Sequence, residues 1–359
     1  MELPRVKHEH RASRIADRTV RIGGGVYGIA AEIEDPHGWV STALDLMDGT
    51  RTQAELVNGL RSAFPALPEA GAARLVRELL ATGYVEEAGV SGTEPDWISP
   101  ADRDRYQRNQ AFFRHADLRP QPSAWEDQRR LREAAVVVLG VGGTGSHAAW
   151  ALAAAGVGRI HLIDHDRVEA SNLTRQALYT EADIGRPKAE TAAERLRAVN
   201  SSISVTSAMT SVDNEAALAG LLAGFDVLAL CADEPLRDTL WGWASSACAQ
   251  AAMPWVGGGY NGPLITIGTF APGGPCFRCL TRTEEELLPG QQPPYLGGAG
   301  AIAPSAGISG QLVAYEVIGQ ITGLTRSTPG YVRGINLVAP EHLVLVRHGS
   351  RRECEACGV

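Results

Sequence analysis

Residues 135–150, AVVVLGVGGTGSHAAW, indicate the fold class of this chain. An apolar strand runs into a glycine-rich turn that includes Gly140, Gly142 and Gly145, and then into a helix of small residues. Glycines so placed allow a tight turn and let backbone N–H groups approach a phosphate at the helix N-terminus. Asp164 ends the next predicted strand, where a carboxylate can accept hydrogen bonds from ribose hydroxyls. The alternative is a plain glycine turn with a solvated acid, and the pattern alone does not say which nucleotide is bound.

Strand and helix patterns alternate around this stretch, as they do in doubly wound parallel sheets. The predicted strands are residues 135–139, 159–164, 203–205, 225–230, 253–256, 264–270, 331–337 and 342–346. Residues 289–304 are rich in proline and glycine, which predicts a mobile loop before a helix over 306–321. We therefore expect an α/β fold built on a doubly wound, Rossmann-like domain.

The first 92 residues predict a separate small α/β unit with short strands over 19–22 and 26–33. Thr52 and Glu55 form a capping-box pattern at the start of one helix, and a second helix over 69–81 precedes a short strand. Two helices followed by a strand are typical of winged-helix domains. The predicted division is residues 1–92, a linker over 93–103, and residues 104–359.

Composition excludes several classes of protein. The 359 residues are 44% hydrophobic and 21% charged, which is typical of a globular protein. A formal net charge of −8 argues against a general nucleic-acid binder. We find no apolar run long enough to span a bilayer and no secretory signal, so we expect no membrane partner and a cytoplasmic location.

Two C-x-x-C pairs stand out among six cysteines. They are Cys276 with Cys279 and Cys354 with Cys357. Two such pairs can close a tetrahedral zinc site, and four thiolate ligands would make that site structural rather than catalytic. The alternative is four unrelated thiols.

The segment that follows Asp164 carries a resemblance to a known family. It reads LIDHDRVEASNLTRQALYTEADIGRPKAETAAERL and, with several later motifs in the same order, is similar to the ubiquitin-activating-type (ThiF-type) adenylyltransferases, over about residues 104–359. That resemblance implies that Asp164 holds a ribose, that Asn172 and Arg175 contact a triphosphate, and that Lys188 neutralises its phosphates. The implied nucleotide-binding set is Gly140, Gly142, Gly143, Gly145, Asp164, Asp166, Asn172 and Gln176.

Two further positions complete the implied catalytic set. Asp233 matches the family's Mg²⁺-binding carboxylate, although it could instead cap the helix that follows it. Arg105–Arg108 (RYQR) resembles an R-Y-x-R motif whose second arginine enters a neighbouring protomer's site, which implies that Arg108 is an arginine finger and the enzyme a homodimer. A carboxylate attacks a phosphate poorly unless cations offset the developing charge, which is consistent with Arg108, Arg175, Lys188 and Mg²⁺ in these roles.

The N-terminal unit carries a second resemblance. Residues 17–87 are similar to the winged-helix recognition element that binds leader peptides of ribosomally made natural products, with the peptide added to the sheet as a strand. The stretches LDLMDGTRTQAEL (44–56) and LVRELLATGYVEE (75–87) carry the likeness; the alternative is a dimerisation or docking domain. Fused to an adenylating domain, this element resembles the microcin-C-type peptide-adenylating enzymes.

We therefore expect ATP-dependent adenylation of a carboxylate of a ribosomally made precursor peptide, with the C-terminal carboxylate favoured over a side chain, and with ATP, Mg²⁺ and Zn²⁺ bound. The loop that bears a cysteine in many relatives, placed here at residues 281–304, has none, and Cys231 and Cys248 fall in apolar elements. This favours direct transfer from the adenylate. Alternatives are activation of a small sulphur-carrier protein ending in Gly-Gly, a non-catalytic leader-peptide-binding partner and, weakest, an oxidoreductase.

Overall fold

The computed structural model describes most of the chain and divides it into two compact units, Met1–Arg129 and Arg130–Val359. The described residues are 1–16, 18–25, 28–89, 95–234, 236–287, 300–325, 328–351, 353–354 and 356–357. Most of the loop predicted over 289–304 lies outside them, as do residues 93 and 94 of the predicted linker. Within the described ranges, no helix is both long and apolar enough to cross a membrane.

The N-terminal unit combines short antiparallel strands with helices. Its elements are β1 (Pro4–Val6), β2 (Ser13–Ala16), β3 (Thr19–Ile22), β4 (Ala31–Glu34), α1 (Trp39–Leu46), α2 (Gln53–Ala63), α3 (Glu69–Ala81), β5 (Val85–Glu87) and α4 (Pro100–Ala116). Strands β2, β3 and β4 form one antiparallel sheet in that order, and β1 pairs with β5 in a second. A helix α5 (Glu126–Glu133) crosses the boundary between the units.

Local sequence signals explain most of these elements. The predicted capping box starts α2, where Glu55 N–H donates to the Thr52 hydroxyl at 3.3 Å and Thr52 N–H donates to the Glu55 carboxylate at 2.8 Å. Helices α2 and α3 pack their apolar faces into one core with β3. Helix α4 replaces the last part of the predicted linker, because Ser99 caps its N-terminus and Pro100 occupies its first turn.

The C-terminal unit is built on an eight-stranded sheet with helices packed against it. Its remaining elements are β6 (Ala135–Leu139), α6 (Gly143–Ala155), β7 (Arg159–Ile163), α7 (Lys188–Val199), β8 (Ser204–Ala208), α8 (Glu215–Leu221), β9 (Val227–Leu230), α9 (Arg237–Gln250), β10 (Trp255–Asn261), β11 (Leu264–Phe270), α10 (Phe277–Leu287), α11 (Ala303–Thr322), β12 (Tyr331–Asn336) and β13 (Leu343–Arg347). The segment 281–304 is therefore helical over its first seven residues, not a loop throughout.

The strand order is β13-β12-β11-β10-β9-β6-β7-β8, parallel from β10 to β8 and antiparallel from β10 to β13. Strands β6 and β9 are buried along their whole length, as expected where helices cover both faces of a parallel sheet. This confirms the predicted Rossmann-like α/β class. The carboxyl ends of β6, β7 and β9 meet at one edge, where ligands bind in open α/β sheets.

Candidate active site

A cavity of about 590 Å³ opens at the carboxyl ends of these parallel strands. Its walls include all but two of the predicted nucleotide-binding and catalytic residues. Those that line it are Gly140, Gly142, Gly143, Asp164, Asp166, Asn172, Arg175, Gln176, Lys188 and Asp233. Gly145 lies beneath the wall, and Arg108 belongs to the N-terminal unit.

The glycine turn between β6 and α6 is fixed by close backbone approach. Gly140 has φ of +86°, and a Cβ there would lie 2.8 Å from the backbone nitrogen of Ala232. A Cβ on Gly145 would lie 1.8 Å from the carbonyl oxygen of Gly140. Neither position accepts a side chain without moving backbone, so both glycines are required by packing as well as by any ligand.

Asp164 organises the turns that follow β6 and β7. Its buried carboxylate accepts hydrogen bonds from Val141 N–H at 2.8 Å and Asp166 N–H at 2.9 Å. The side chain therefore joins the glycine turn to the segment that carries Asp166. Because a carboxylate has about four acceptor positions, it can hold both turns and still accept from a ribose hydroxyl.

Lys188 is held in the cavity wall by a second set of contacts. Its Nζ donates to Asp166 Oδ2 at 2.8 Å, and its side chain is 7% exposed. The buried Tyr179 hydroxyl contacts the carbonyl oxygens of Val141 at 2.9 Å and Lys188 at 3.3 Å. Burial, with the nearby charge of Asp164, raises the pKa of Tyr179, so its hydroxyl stays protonated. Sequence analysis missed Tyr179, since no motif marks it.

Arg175 and Gln176 present hydrogen-bonding groups to the cavity. Arg175 donates through one terminal nitrogen to Ser171 O at 3.0 Å and through Nε to the Tyr260 hydroxyl at 3.2 Å. Gln176 is buried, and its Oε1 has no hydrogen-bond partner among the described residues. An orphaned buried acceptor on a cavity wall favours a ligand that carries a donor, such as a ribose hydroxyl.

Asn172 closes the turn before Arg175. Its Oδ1 accepts from Glu169 N–H at 3.0 Å, and Arg175 N–H in turn donates to Asn172 O at 3.0 Å. Asn172 is buried and lines the cavity. The geometry thus gives Asn172 a structural contact in addition to its predicted contact with a triphosphate.

Asp233 follows β9 and is exposed at the cavity rim beside Glu234. The alternative that Asp233 caps the next helix is wrong, because α9 begins at Arg237 and its N-cap residue is Leu236. His165 lies nearby, with its Nε2 3.7 Å from Glu234 and 3.4 Å from Asp166. This rim offers the carboxylate oxygens that Mg²⁺ prefers, so the residues fit the implied ion.

Arg108 lies on α4, and its side chain is exposed. Neighbouring Tyr106 is buried and anchors the same helix. An exposed arginine is free to reach a second protein chain. Its role as an arginine finger, and the homodimer which that role implies, stay predictions.

The four cysteines of the C-x-x-C pairs converge in the C-terminal unit. Sγ of Cys276 lies 3.7 Å from that of Cys279 and 3.5 Å from that of Cys354, and Cys279 Sγ lies 3.5 Å from Cys357 Sγ. All four sulfur atoms lie within 4.8 Å of one another. Zinc–sulfur bonds of about 2.3 Å in a tetrahedron place sulfur atoms about 3.8 Å apart, so the cluster has the size that zinc requires.

The other two cysteines are poor nucleophiles. Cys248 is buried in the core as predicted, whereas Cys231 is half-buried and lines the cavity. Burial raises the pKa of each thiol to about 12. Both thiols are therefore protonated at neutral pH, and neither is suited to forming a thioester.

Comparison with known proteins places this site in a family. The ThiF family model matches residues 106–356. Molybdopterin-synthase adenylyltransferase of Escherichia coli K12 is 34% identical over 267 residues, which cover 73% of this chain and 98% of that protein. Adenylyltransferase and sulfurtransferase MOCS3 of Bos taurus is 35% identical over 237 residues, 65% of this chain and 50% of that protein.

A solved structure matches at the level of the fold. The crystal structure of E. coli MccB with AMPCPP and MccA covers 100% of both chains, with a TM-score of 0.75 and 23% identity. The family model covers more than half of the present chain, and the matched relatives are adenylyltransferases. The chain therefore belongs to the ThiF family and is an ATP-dependent adenylyltransferase.

Proposed function

We propose that this enzyme adenylates the C-terminal carboxylate of a ribosomally made precursor peptide, which its N-terminal unit binds. The observation that carries the proposal is the extent of the two matches. MccB, crystallised with the peptide MccA, shares the fold over the whole chain. The E. coli molybdopterin-synthase adenylyltransferase is itself matched almost completely, yet it leaves about a quarter of this chain uncovered. The additional region is accounted for if the substrate is a peptide that needs a recognition element.

The cavity supplies what adenylation requires of ATP. Donors at the start of α6, with Arg175 and Lys188, suit the triphosphate, and Asp164 with the orphaned Gln176 Oε1 suits the ribose. The peptide carboxylate attacks the α-phosphorus, a new O–P bond forms, and the bond to the leaving pyrophosphate breaks. Arg175 and Lys188 offset the charge that develops in this transition state.

The charges of the cavity indicate that further cations take part. Among the residues that the structure describes, six carboxylates and two cationic side chains, Arg175 and Lys188, line it. The six are Asp164, Asp166, Glu169, Asp213, Asp233 and Glu234. A triphosphate would be repelled by such a wall unless cations were added. In our proposal Asp233 holds Mg²⁺, which when bound neutralises phosphate charge, and Arg108 of a neighbouring protomer supplies a third cationic side chain.

The N-terminal unit offers an edge for the peptide. Sheet β2-β3-β4 has three strands in the described part of the unit, where β2 and β4 are its outer strands and offer edges on which an extended peptide can add as a strand. The acyl-adenylate formed from this peptide would pass directly to a nucleophile, since Cys231 and Cys248 have raised pKa values and residues 281–304 contain no cysteine.

The test is ATP–pyrophosphate exchange with the cognate precursor peptide. We expect peptide-dependent exchange in the wild-type enzyme and its loss in Asp233→Ala, while Glu341→Ala, an exposed acid outside the cavity, behaves as wild type. Converting the C-terminal carboxylate of the peptide to an amide should abolish exchange, whereas removing its side-chain carboxylates should not. Absence of exchange with any peptide, or exchange unaffected by Asp233→Ala, would refute the proposal.

A second candidate is activation of a small sulphur-carrier protein ending in Gly-Gly. The 34% identity to molybdopterin-synthase adenylyltransferase favours it. Exchange stimulated by such a carrier but by no peptide would support this candidate over the first. A purely non-catalytic role is not proposed, because the chain is an adenylyltransferase and its nucleotide-site residues are present.

We also propose that Cys276, Cys279, Cys354 and Cys357 bind one zinc ion that fastens the C-terminal segment to α10. Purified enzyme should contain about one zinc per chain, and Cys279→Ser should lose it. Cys248→Ser removes a buried thiol outside the cluster and is the matched control. Full metal content in Cys279→Ser would contradict the assignment.

A further inference from the structure

Tyr260 lines the nucleotide cavity although no sequence motif marks it. It lies near the end of β10, and its ring rests on the first turn of α6. A Cβ on Gly143 would lie 2.3 Å from the Tyr260 hydroxyl oxygen and 3.1 Å from the ring carbon Cε1. The phenol therefore lies beside the helix N-terminus, next to the place where the glycine motif predicts a phosphate.

The hydroxyl of Tyr260 forms one hydrogen bond as an acceptor and can form another as a donor. It accepts a hydrogen bond from Arg175 Nε at 3.2 Å. A phenol also donates, and across the described ranges of the chain no acceptor takes the Tyr260 proton. The side chain is half-buried in the cavity wall, so a bound ligand is the natural acceptor.

The groups around Tyr260 are all hydrogen-bond donors. Helix α6 begins after Gly142, an N-cap residue without a side chain to cap the first-turn N–H groups. Arg175 adds a guanidinium that already contacts the phenol oxygen. Open N–H groups, a guanidinium and an O–H donor around one point form a site for an anionic oxygen.

We propose that Tyr260 is a phosphate-binding residue: it donates its hydroxyl proton to a phosphate oxygen of ATP at the start of α6 while its oxygen holds Arg175. In this arrangement residue 143 is glycine because the phenol fills the place of a Cβ. The inference rests on the ATP-dependent adenylation proposed above and adds a residue to the machinery of that reaction.

The first experiment compares two ligands by calorimetry. Tyr260→Phe keeps the ring and removes the oxygen, so affinity for Mg-ATP should fall about tenfold or more, as for loss of a hydrogen bond to a charged group. Affinity for adenosine, which has no phosphate, should not change. Tyr315→Phe, at an exposed site on α11 outside the cavity, should change neither. ATP affinity within twofold of wild type, or an equal loss for adenosine, would overturn the inference.

A second experiment uses the contact with Gly143. Gly143→Ala should weaken ATP binding, because its Cβ would meet the Tyr260 oxygen. Adding Tyr260→Phe to Gly143→Ala should cost much less ATP affinity than Tyr260→Phe costs in the wild-type background, because the new Cβ has already displaced the phenol oxygen. A full additive loss of affinity in the double variant would contradict the assigned position. A wild-type enzyme that does not bind ATP would defeat the proposed function itself, whereas normal wild-type binding with an unaffected Tyr260→Phe would defeat only this inference.

Discussion

Two clusters of charged and polar side chains, one in each unit, use the same residue types differently. In the N-terminal unit, Arg114 is 10% exposed and forms paired hydrogen bonds of 2.9–3.2 Å with both Glu9 and Glu86. In the cavity of the C-terminal unit, the Gln176 Oε1 atom and the Tyr260 hydroxyl proton have no such partners within the part of the chain that the structure describes. The first cluster is satisfied within the protein, whereas these two groups of the second are left open to a ligand.

This difference separates structural polar groups from functional ones. Burial alone would raise the pKa of Glu9, but hydrogen bonds from Arg114 outweigh it and lower that pKa, which shows the carboxylate is stabilised in place. Among the described residues, Gln176 Oε1 and the Tyr260 hydroxyl proton gain no such hydrogen bond from the fold. We therefore expect substitutions in the cavity to affect activity more than stability, and substitutions around Arg114 to do the opposite.

The largest expected effect is on catalysis. Lys188→Met keeps most of the side-chain volume but removes the charge, so pyrophosphate exchange should fall by about 10²–10³-fold. Stability should change by less than about 1 kcal/mol, because the abandoned Asp166 is half exposed and water can solvate it. Exchange rates and urea unfolding on the same preparation test both statements. A large loss of stability with pyrophosphate exchange retained would show that Lys188 stabilises the fold and does not act in catalysis.

Arg114→Met is expected to affect stability more than activity, the reverse of Lys188→Met. Two carboxylates would lose their cation in a site where Glu86 is only 7% exposed, and breaking a buried pair in this way costs about 3–5 kcal/mol. Hydrogen–deuterium exchange of peptides from β5 and α4 measures this loss locally. Arg114→Lys keeps the charge but not the paired hydrogen bonds, so its stability should lie between those of the wild type and Arg114→Met. Unchanged protection in Arg114→Met would remove the contrast between the clusters.

A pH dependence follows from His10, which is fully buried beside Arg114. Burial, with the charges of Lys7 and His115, lowers the pKa of His10 to about 4, against smaller opposing effects of Arg114 O and Glu9. The unfolded chain binds the proton more readily, so stability present above pH 6.5 is lost as pH falls from 6.5 towards 4, by up to about 3 kcal/mol.

His10→Phe should flatten this dependence between pH 6.5 and 4.5, above the range in which Glu9 and Asp117 titrate. The same local hydrogen–deuterium exchange, corrected for intrinsic rates, provides the measurement. His37→Phe replaces another histidine of this unit and should leave the slope intact. An equal slope in wild type and His10→Phe would show that other groups set the pH response.

The smallest effect is expected at the N-terminus of α2. Thr52→Ala removes one side of the capping box at α2, which is exposed and complete within four residues. The expected loss is about 1 kcal/mol of stability, with ATP–pyrophosphate exchange unchanged. Thr52→Ser retains the hydroxyl and should restore the stability. A loss as large as that of Arg114→Met would mean that local caps matter as much as buried networks.

Features that depend on neighbours along the chain were predictable from the sequence. The strands over 135–139 and 264–270 and the helix over 69–81 have the bounds that their patterns predicted. The capping box at Thr52 is also as predicted. These depend on backbone periodicity and on contacts within a few residues, so the local sequence contains the necessary information.

Other features required the tertiary structure. Tyr260 meets Arg175 across 85 positions of sequence, and Cys276 meets Cys354 across 78. The structure alone showed that Asp233 does not cap α9, that Arg114 closes the N-terminal cluster, and that no described residue partners Gln176 Oε1. Such contacts depend on strand order and register in the folded sheet. The sequence by itself thus determined the family, the Rossmann-like class and which residue types are available, whereas the fold decided which of them meet and which remain open to a ligand, because long-range contacts leave no local pattern.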